Sequence, residues 1–337
     1  MYPAEQPINP NTTRAANRAL WFGIVFSLAL TTLIWALGSW LDRFALEPDR
    51  PGMWYAWQSP NPLANVAWSA WLFYLIHQIG FWVLIYRAQQ QKLTYTNGLH
   101  PLNYWALVWN GIFSLLHLAQ THLFYDGLAA DVPEWTSQWS VILLLCMVLH
   151  MENQRRGLVL GKRWNWLSES GRLVRKYHGY YFAWAIVYTF WYHPMVSTSG
   201  HLIGFFYMFM LILQGSLFFT RVHTNRWWMF AQEFLVLIHA VLVSLMNVDG
   251  MWPMFLFGFF GMLVFTQMFG IPLPKWGRWL IFGVYVGSVL LVYANRGWHR
   301  LFELVLIPFT LYGVALVMGL LLLAGLAIAR KFTTPSR

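Results

Sequence analysis

The chain is 337 residues long, 58% hydrophobic and only 10% charged, with a net charge of +10. Soluble domains hold about a quarter of their residues as charge, and so few charges cannot clothe a surface that faces water. That excludes a soluble globular domain. It also removes the usual reading of a basic chain as a nucleic-acid binder, because the cations follow a membrane topology instead.

Residues 1–18 form a polar tail containing prolines. Apolar runs follow at about 19–41, 62–86, 102–125, 135–151, 177–193, 200–220, 227–247, 251–271, 277–294 and 301–329. Most are about 17–25 residues long, the length a tilted helix needs to cross the hydrocarbon core. A barrel would show short alternating segments. The expectation is an all-α polytopic bundle of about ten transmembrane helices, one domain over 19–330 with a short tail at 331–337. The first run exceeds the ~7–15 residues of a signal-peptide core, so it reads as a retained helix. Cys146, the single cysteine, lies inside a run and reads as a small buried apolar residue.

Charge between the runs sets the sidedness. With Arg14 and Arg18 in the cytoplasm, alternation places Arg87, Lys92, the basic loop 152–176, Arg221, Arg226, Lys275, Arg278, Arg330, Lys331 and Arg337 there too. Asp42, Glu47, Asp49, Asp126, Asp131, Glu134 and Asp249 fall on the other side. This is the positive-inside pattern. It predicts cytoplasmic termini in a plasma (inner) membrane, and leaves Arg296 and Arg300 on the wrong side. Trp54, Tyr55 and Trp57, Trp164 and Trp166, Trp227 and Trp228, and Trp276 and Trp279 fit interfacial belts. Gly200 with Gly204, and Gly283 with Gly287, carry the spacing of close helix contacts. Pro308 should kink the last helix.

Polar residues divide the runs unequally. Runs two to seven, over 62–247, hold nearly all the histidine, asparagine and glutamate found inside runs, and read as the functional core. On the third run Asn103, Asn110 and His117 recur at two-turn spacing and share one face. With Gln214 and Gln232 they are candidates to line a pathway; interhelical hydrogen bonding is the plainer alternative. Glu233 stands beside Gln232, and His239 lies two turns from Gln232. An intramembrane carboxyl needs a partner or a proton, so Glu233 and His239 are the catalytic candidates, with Arg221, Arg226, His150 and His223 as possible partners.

Imidazoles are the second signal. His193 and His201 flank a short turn, and with His117, His122 and Asp126 they are candidate metal ligands on the outer side. His150 and His178 are candidates on the inner side. No compact metal motif accompanies them. His178 and His193, about 22 Å apart along one helix, suit a haem ligand in each leaflet, whereas His201 and His223 are spaced too widely. The cofactor expectation therefore stands between a transition metal ion and haem. Arg172, Arg175, Arg221 and Arg226 offer an anion or headgroup site; topology and general attraction to anionic lipid explain them equally.

Three functions fit these features. The leading one is an integral membrane enzyme with a histidine-ligated metal or haem, acting on a lipophilic or quinone-like substrate. The second is a transporter or channel with a His/Asn/Gln/Glu-lined pathway. The third is a structural or assembly subunit. Membrane lipids are the expected partners, and nucleic acid is not.

Overall fold

The computed structural model describes residues 14–44, 67–247 and 250–333. Among them are ten α-helices and no strand beyond two isolated bridges, Thr96 with Thr220 and Val159 with Lys162. The helices are α1 (Ala15–Ala36), α2 (Ala67–Gln90), α3 (Pro101–Phe124), α4 (Glu134–Arg156) and α5 (Ser168–Tyr192). Then come α6 (Ser199–Ser216), α7 (Arg226–Asn247), α8 (Trp252–Phe265), α9 (Lys275–Arg296) and α10 (Glu303–Thr333). Seven are long and apolar enough to cross a membrane: α1, α2, α6, α7, α8 with the turn after it, α9 and α10. The polar residues of α3, α4 and α5 keep these three out of that set. α3 carries the Asn/His/Gln series, α4 ends in Glu152 to Arg156, and α5 opens with Ser168 to Arg172.

The polypeptide divides into two compact units whose boundaries fall within α4, α5 and α7. Unit 1 comprises the described residues up to Ser137, together with Phe182–Leu235. Unit 2 comprises Gln138–Tyr181 and the described residues from Val236 onward.

In unit 1, α1 packs on α6, and α3 packs on both α2 and α6. Ala16, Met210, Leu213, Leu217 and Val222 form the apolar seam behind α1. Gly80 lets α2 approach α3 closely: a Cβ there would overlap the Trp109 ring. Trp109 lies across the gap and donates its indole N–H to the His77 carbonyl at 3.1 Å. The start of α3 is built from its own sequence. Pro101 takes the first turn, where its missing N–H is no loss, and Asn103 Oδ1 accepts the His100 N–H at 2.8 Å.

In unit 2, α8 packs against α9 and α10. Its core joins Cys146, Leu149, Leu158, Leu167, Met262, Leu311 and Ala315. Cys146 is fully buried, and its thiol points to the Leu311 carbonyl at 3.3 Å. α4 stops at Gly157, whose φ of 78° is left-handed and whose N–H returns to the Asn153 carbonyl at 3.0 Å, a cap that favours glycine. The following turn docks on unit 2 through Leu160 N–H to the Phe265 carbonyl at 2.7 Å and Tyr312 Oη to the Leu158 carbonyl at 2.6 Å.

Two features of the sequence reading change here. Gly283 and Gly287 face open space, with nothing within 4 Å of where a Cβ would stand. Spacing alone made them a contact; they lie on the outward side of α9. Arg296, on the wrong side by charge, is neutralised locally by Glu303 at the start of α10, while Arg300 only approaches the same carboxylate. Arg296 donates from Nε at 2.9 Å and from a terminal nitrogen at 2.8 Å, Tyr293 Oη adds 3.0 Å, and Arg300 approaches to 4.0 Å. Pro308 lies inside α10, which continues past it. Glu47, Asp49, Trp54, Tyr55, Trp57, Asp249 and Arg337 lie outside the described residues, as do the first residues of the tail and of the second run.

Candidate functional site

The interior of unit 1 contains a directed chain of hydrogen bonds. Trp191 Nε1, which can only donate, meets His77 Nδ1 at 3.1 Å. The proton of His77 therefore sits on Nε2 and goes to Asn110 Oδ1 at 2.7 Å. Asn110 Nδ2 donates to Ser216 Oγ at 2.7 Å, and Ser216 passes its own proton to the Ile212 carbonyl at 2.8 Å. All four side chains are buried. The His77 ring stacks on Phe113, with centroids 4.6 Å apart and planes 9° apart.

Asn103 belongs to the same system. Its amide donates to the Ser216 and Phe218 carbonyls, both at 2.9 Å, and so covers orphan acceptors at the end of α6. Every polar group of Asn103 and Asn110 is thus committed to neighbouring backbone or side chains. Gln214 is held likewise: its amide donates to the His223 carbonyl at 2.9 Å, and its oxygen accepts the Trp228 indole N–H. These three pathway candidates tie helices together.

Further along α3 the pattern reverses, and buried acceptors lack donors. His117 Nε2 meets the His193 carbonyl at 2.9 Å, so it carries the ring proton and leaves Nδ1 as a lone pair. Gln120 donates to Ser69 Oγ at 3.2 Å and to the Asp126 carbonyl at 3.1 Å, leaving Oε1 to accept. His122 Nδ1 donates to the Leu118 carbonyl at 2.8 Å, which leaves Nε2 as a lone pair. Asp126 follows in the turn beyond the helix. His117 Nδ1, Gln120 Oε1, His122 Nε2 and Asp126 Oδ2 are all buried, in residues at most 9% exposed, and none meets a well-aligned donor, although the His117 ring lies close to the Gln120 side chain and the Phe190 backbone. From His117 to the helix end is about 10 Å. Gln78, on the buried face of α2, also leaves both ends of its amide unpartnered.

Asp126 is the carboxyl end of this row. Burial raises its carboxyl from 3.8 to about 7; hydrogen bonds from the Gly127 and Ala70 backbone oppose this, and nearby Asp131 adds to it. Asp131 itself accepts the Trp71 indole N–H at 2.6 Å. Arg43 donates to the His122 carbonyl and lies over the Trp40 and Phe44 rings. The backbone at this end is pinned by Met195 N–H to Thr121 Oγ1 at 3.0 Å.

Chemically, His117 Nδ1, Gln120 Oε1, His122 Nε2 and Asp126 Oδ2 are buried atoms each able to accept a proton donor. The chain matches no family model, no curated protein and no solved structure. The donor set must therefore carry the functional argument.

The metal candidates disperse. Among the described residues, no three of His, Cys, Asp and Glu come together as a group able to hold a metal ion. His193 and His201 do approach, with ring centroids 5.4 Å apart, and His201 Nδ1 is within 2.7 Å of Thr198 Oγ1. His117 reaches His193 through the latter's carbonyl, not its ring. In unit 2, His150 is buried against Gly319, and His178 Nδ1 donates to the Arg175 carbonyl at 2.7 Å. His117, His122 and His178 each use one nitrogen on nearby backbone, which sequence spacing does not reveal.

The remaining candidates lie elsewhere. Glu233 is half-buried beside Tyr207 in unit 1, and His239 is half-buried in unit 2. Gln232 is buried, with Oε1 unpartnered. Arg172, Arg221 and Arg226 are exposed, and Arg175 donates to the Met151 carbonyl at 3.1 Å. Sequence reasoning missed His77 as a network member. Its spacing from Ser69, Ala70, Tyr74 and Phe81 on one buried helix face was the available signal.

Proposed function

We propose that this chain is a ten-span protein of a plasma (inner) membrane, with both termini cytoplasmic, that binds and moves a small cationic or hydrogen-bond-donating solute. The observation that carries the reading is the row of unpartnered buried acceptors from His117 to Asp126. Burying a polar group without a partner is costly, and four acceptors in one stretch point to a donor supplied from outside the chain. Intramembrane polar groups of this kind mark solute pathways. A protonated amine or a small monovalent cation fits best, with the Asp126 carboxylate as counter-charge. The ten-span count is supported by the positive-inside distribution, with Arg296 neutralised by Glu303 and Arg300 the remaining exception.

No arrangement among the described residues favours a metal-centred enzyme over this reading. The test is reconstitution of the purified protein into liposomes, with uptake of labelled methylammonium, sodium and potassium measured alongside proton flux. Uptake of at least one probe above empty liposomes, reduced about tenfold or more in Asp126→Asn, is the expected result. Absence of flux for every probe, with no probe raising thermal stability, would discard the proposal.

A further inference from the structure

Unit 2 contains a cluster of cations that neither its core nor the acceptor row explains. The segment Phe269–Gly270, just before α9, is enclosed by arginines. Arg155 donates to the Gly270 carbonyl at 2.6 Å, and Arg155 and Arg156 lie over the Gly270 Cα, where a Cβ would meet them at 3.0–3.2 Å. The Arg278 guanidinium stacks on the Phe269 ring at 5.0 Å from its centroid, and its Nε is buried without a hydrogen-bond partner. Gly161 faces the same ring, which a Cβ there would meet at 3.1 Å, and this brings the turn bearing Lys162 and Arg163 beside it. Lys275 stands one turn before Arg278 on α9.

The local counter-charge is small. Glu152 pairs with Arg155, and Glu169 pairs with Arg330. The first turn of α9 contains no acidic residue, so Lys275 and Arg278 stand where the helix dipole disfavours cations. Trp276 and Trp279, both 71% exposed, project from the same turn. Exposed indoles of this kind mark the level of lipid headgroups.

We propose that the Phe269–Gly270 turn is a binding site for the phosphodiester headgroup of an anionic phospholipid, held by Arg278, Arg156 and Lys275. Guanidinium groups fixed by stacking and packing present their N–H bonds ready-aimed, which suits phosphate better than a mobile ammonium does. The inference does not depend on the solute site of unit 1. It also places the headgroup contact away from Arg172 and Arg175, the residues of unit 2 that the charge pattern alone would choose.

The test measures thermal stability of the full-length protein in detergent, titrated with phosphatidylglycerol, phosphatidylcholine of the same chains, or inorganic phosphate. Phosphatidylglycerol should stabilise the wild type more than phosphatidylcholine. That preference should weaken about tenfold in apparent affinity in Arg278→Gln. Lys275→Ala, on an exposed position, provides a second variant that should fold normally and show a smaller loss. Arg172→Ala should keep the full preference. Equal response to the two lipids, an unchanged preference in both Arg278→Gln and Lys275→Ala, or an equal response to inorganic phosphate would each overturn the assignment.

Discussion

Asp126 and Asn110 show how differently two buried polar residues of one segment behave. The folded protein keeps a proton on Asp126 that the unfolded chain releases, between pH 3.8 and about 7. Its stabilising contribution is full below the unfolded value and is lost as pH rises through about 7. Asp126→Asn stays neutral throughout. It should therefore unfold at a higher temperature than wild type at about pH 8, with the gap narrowing toward about pH 5. Parallel melting curves across that range would show that Asp126 is not titrating there. Asn110 behaves in the opposite way, because its groups are matched. Asn110→Leu strands the His77 Nε2–H and the Ser216 hydroxyl, and should destabilise by about 1–3 kcal/mol. His122→Ala, whose only side-chain bond is to its own helix, should change stability less. Denaturation of both variants in one detergent ranks them. The sequence placed Asn110 on the right face of the right helix, but one-dimensional spacing cannot say whether an amide meets a partner or an unfilled hollow.

At the scale of elements, helix existence was legible and helix contact was not. Each of the ten apolar runs corresponds to one α-helix among the described residues, because a long apolar segment can satisfy its own backbone groups internally only as helix. Glycine shows where that logic stops. Gly80 and Gly287 both sit inside helices, yet only Gly80 has a ring against its Cα, that of Trp109. Gly80→Ala should lose about 1–3 kcal/mol through overpacking, while Gly287→Ala should be neutral or gain up to about 1 kcal/mol in helix propensity. Comparing their unfolding midpoints checks the difference; equal losses would mean that α9 is covered on its outer side. The spacing of Gly283 and Gly287 marked no contact, since spacing records a helix face and not what lies opposite it.

For the whole molecule, sidedness is the property most open to direct measurement. Cysteines introduced at positions 14 and 331 should react with membrane-impermeant reagents only from the cytoplasmic face. Native Cys146 is fully buried and should stay silent, giving a clean background. Labelling of either terminal position from outside would invert or break the proposed topology. The amino-acid sequence by itself determined the highly apolar composition, the succession of helices and the asymmetry of charge, because these follow from composition and run length summed over many residues. Only the tertiary structure decided which histidines share a neighbourhood, that Glu303 pairs with Arg296, and that α3 changes from matched amides to unmatched acceptors along its length. Those outcomes depend on a few directional bonds between segments far apart in the chain, and pairing of that kind is set by packing.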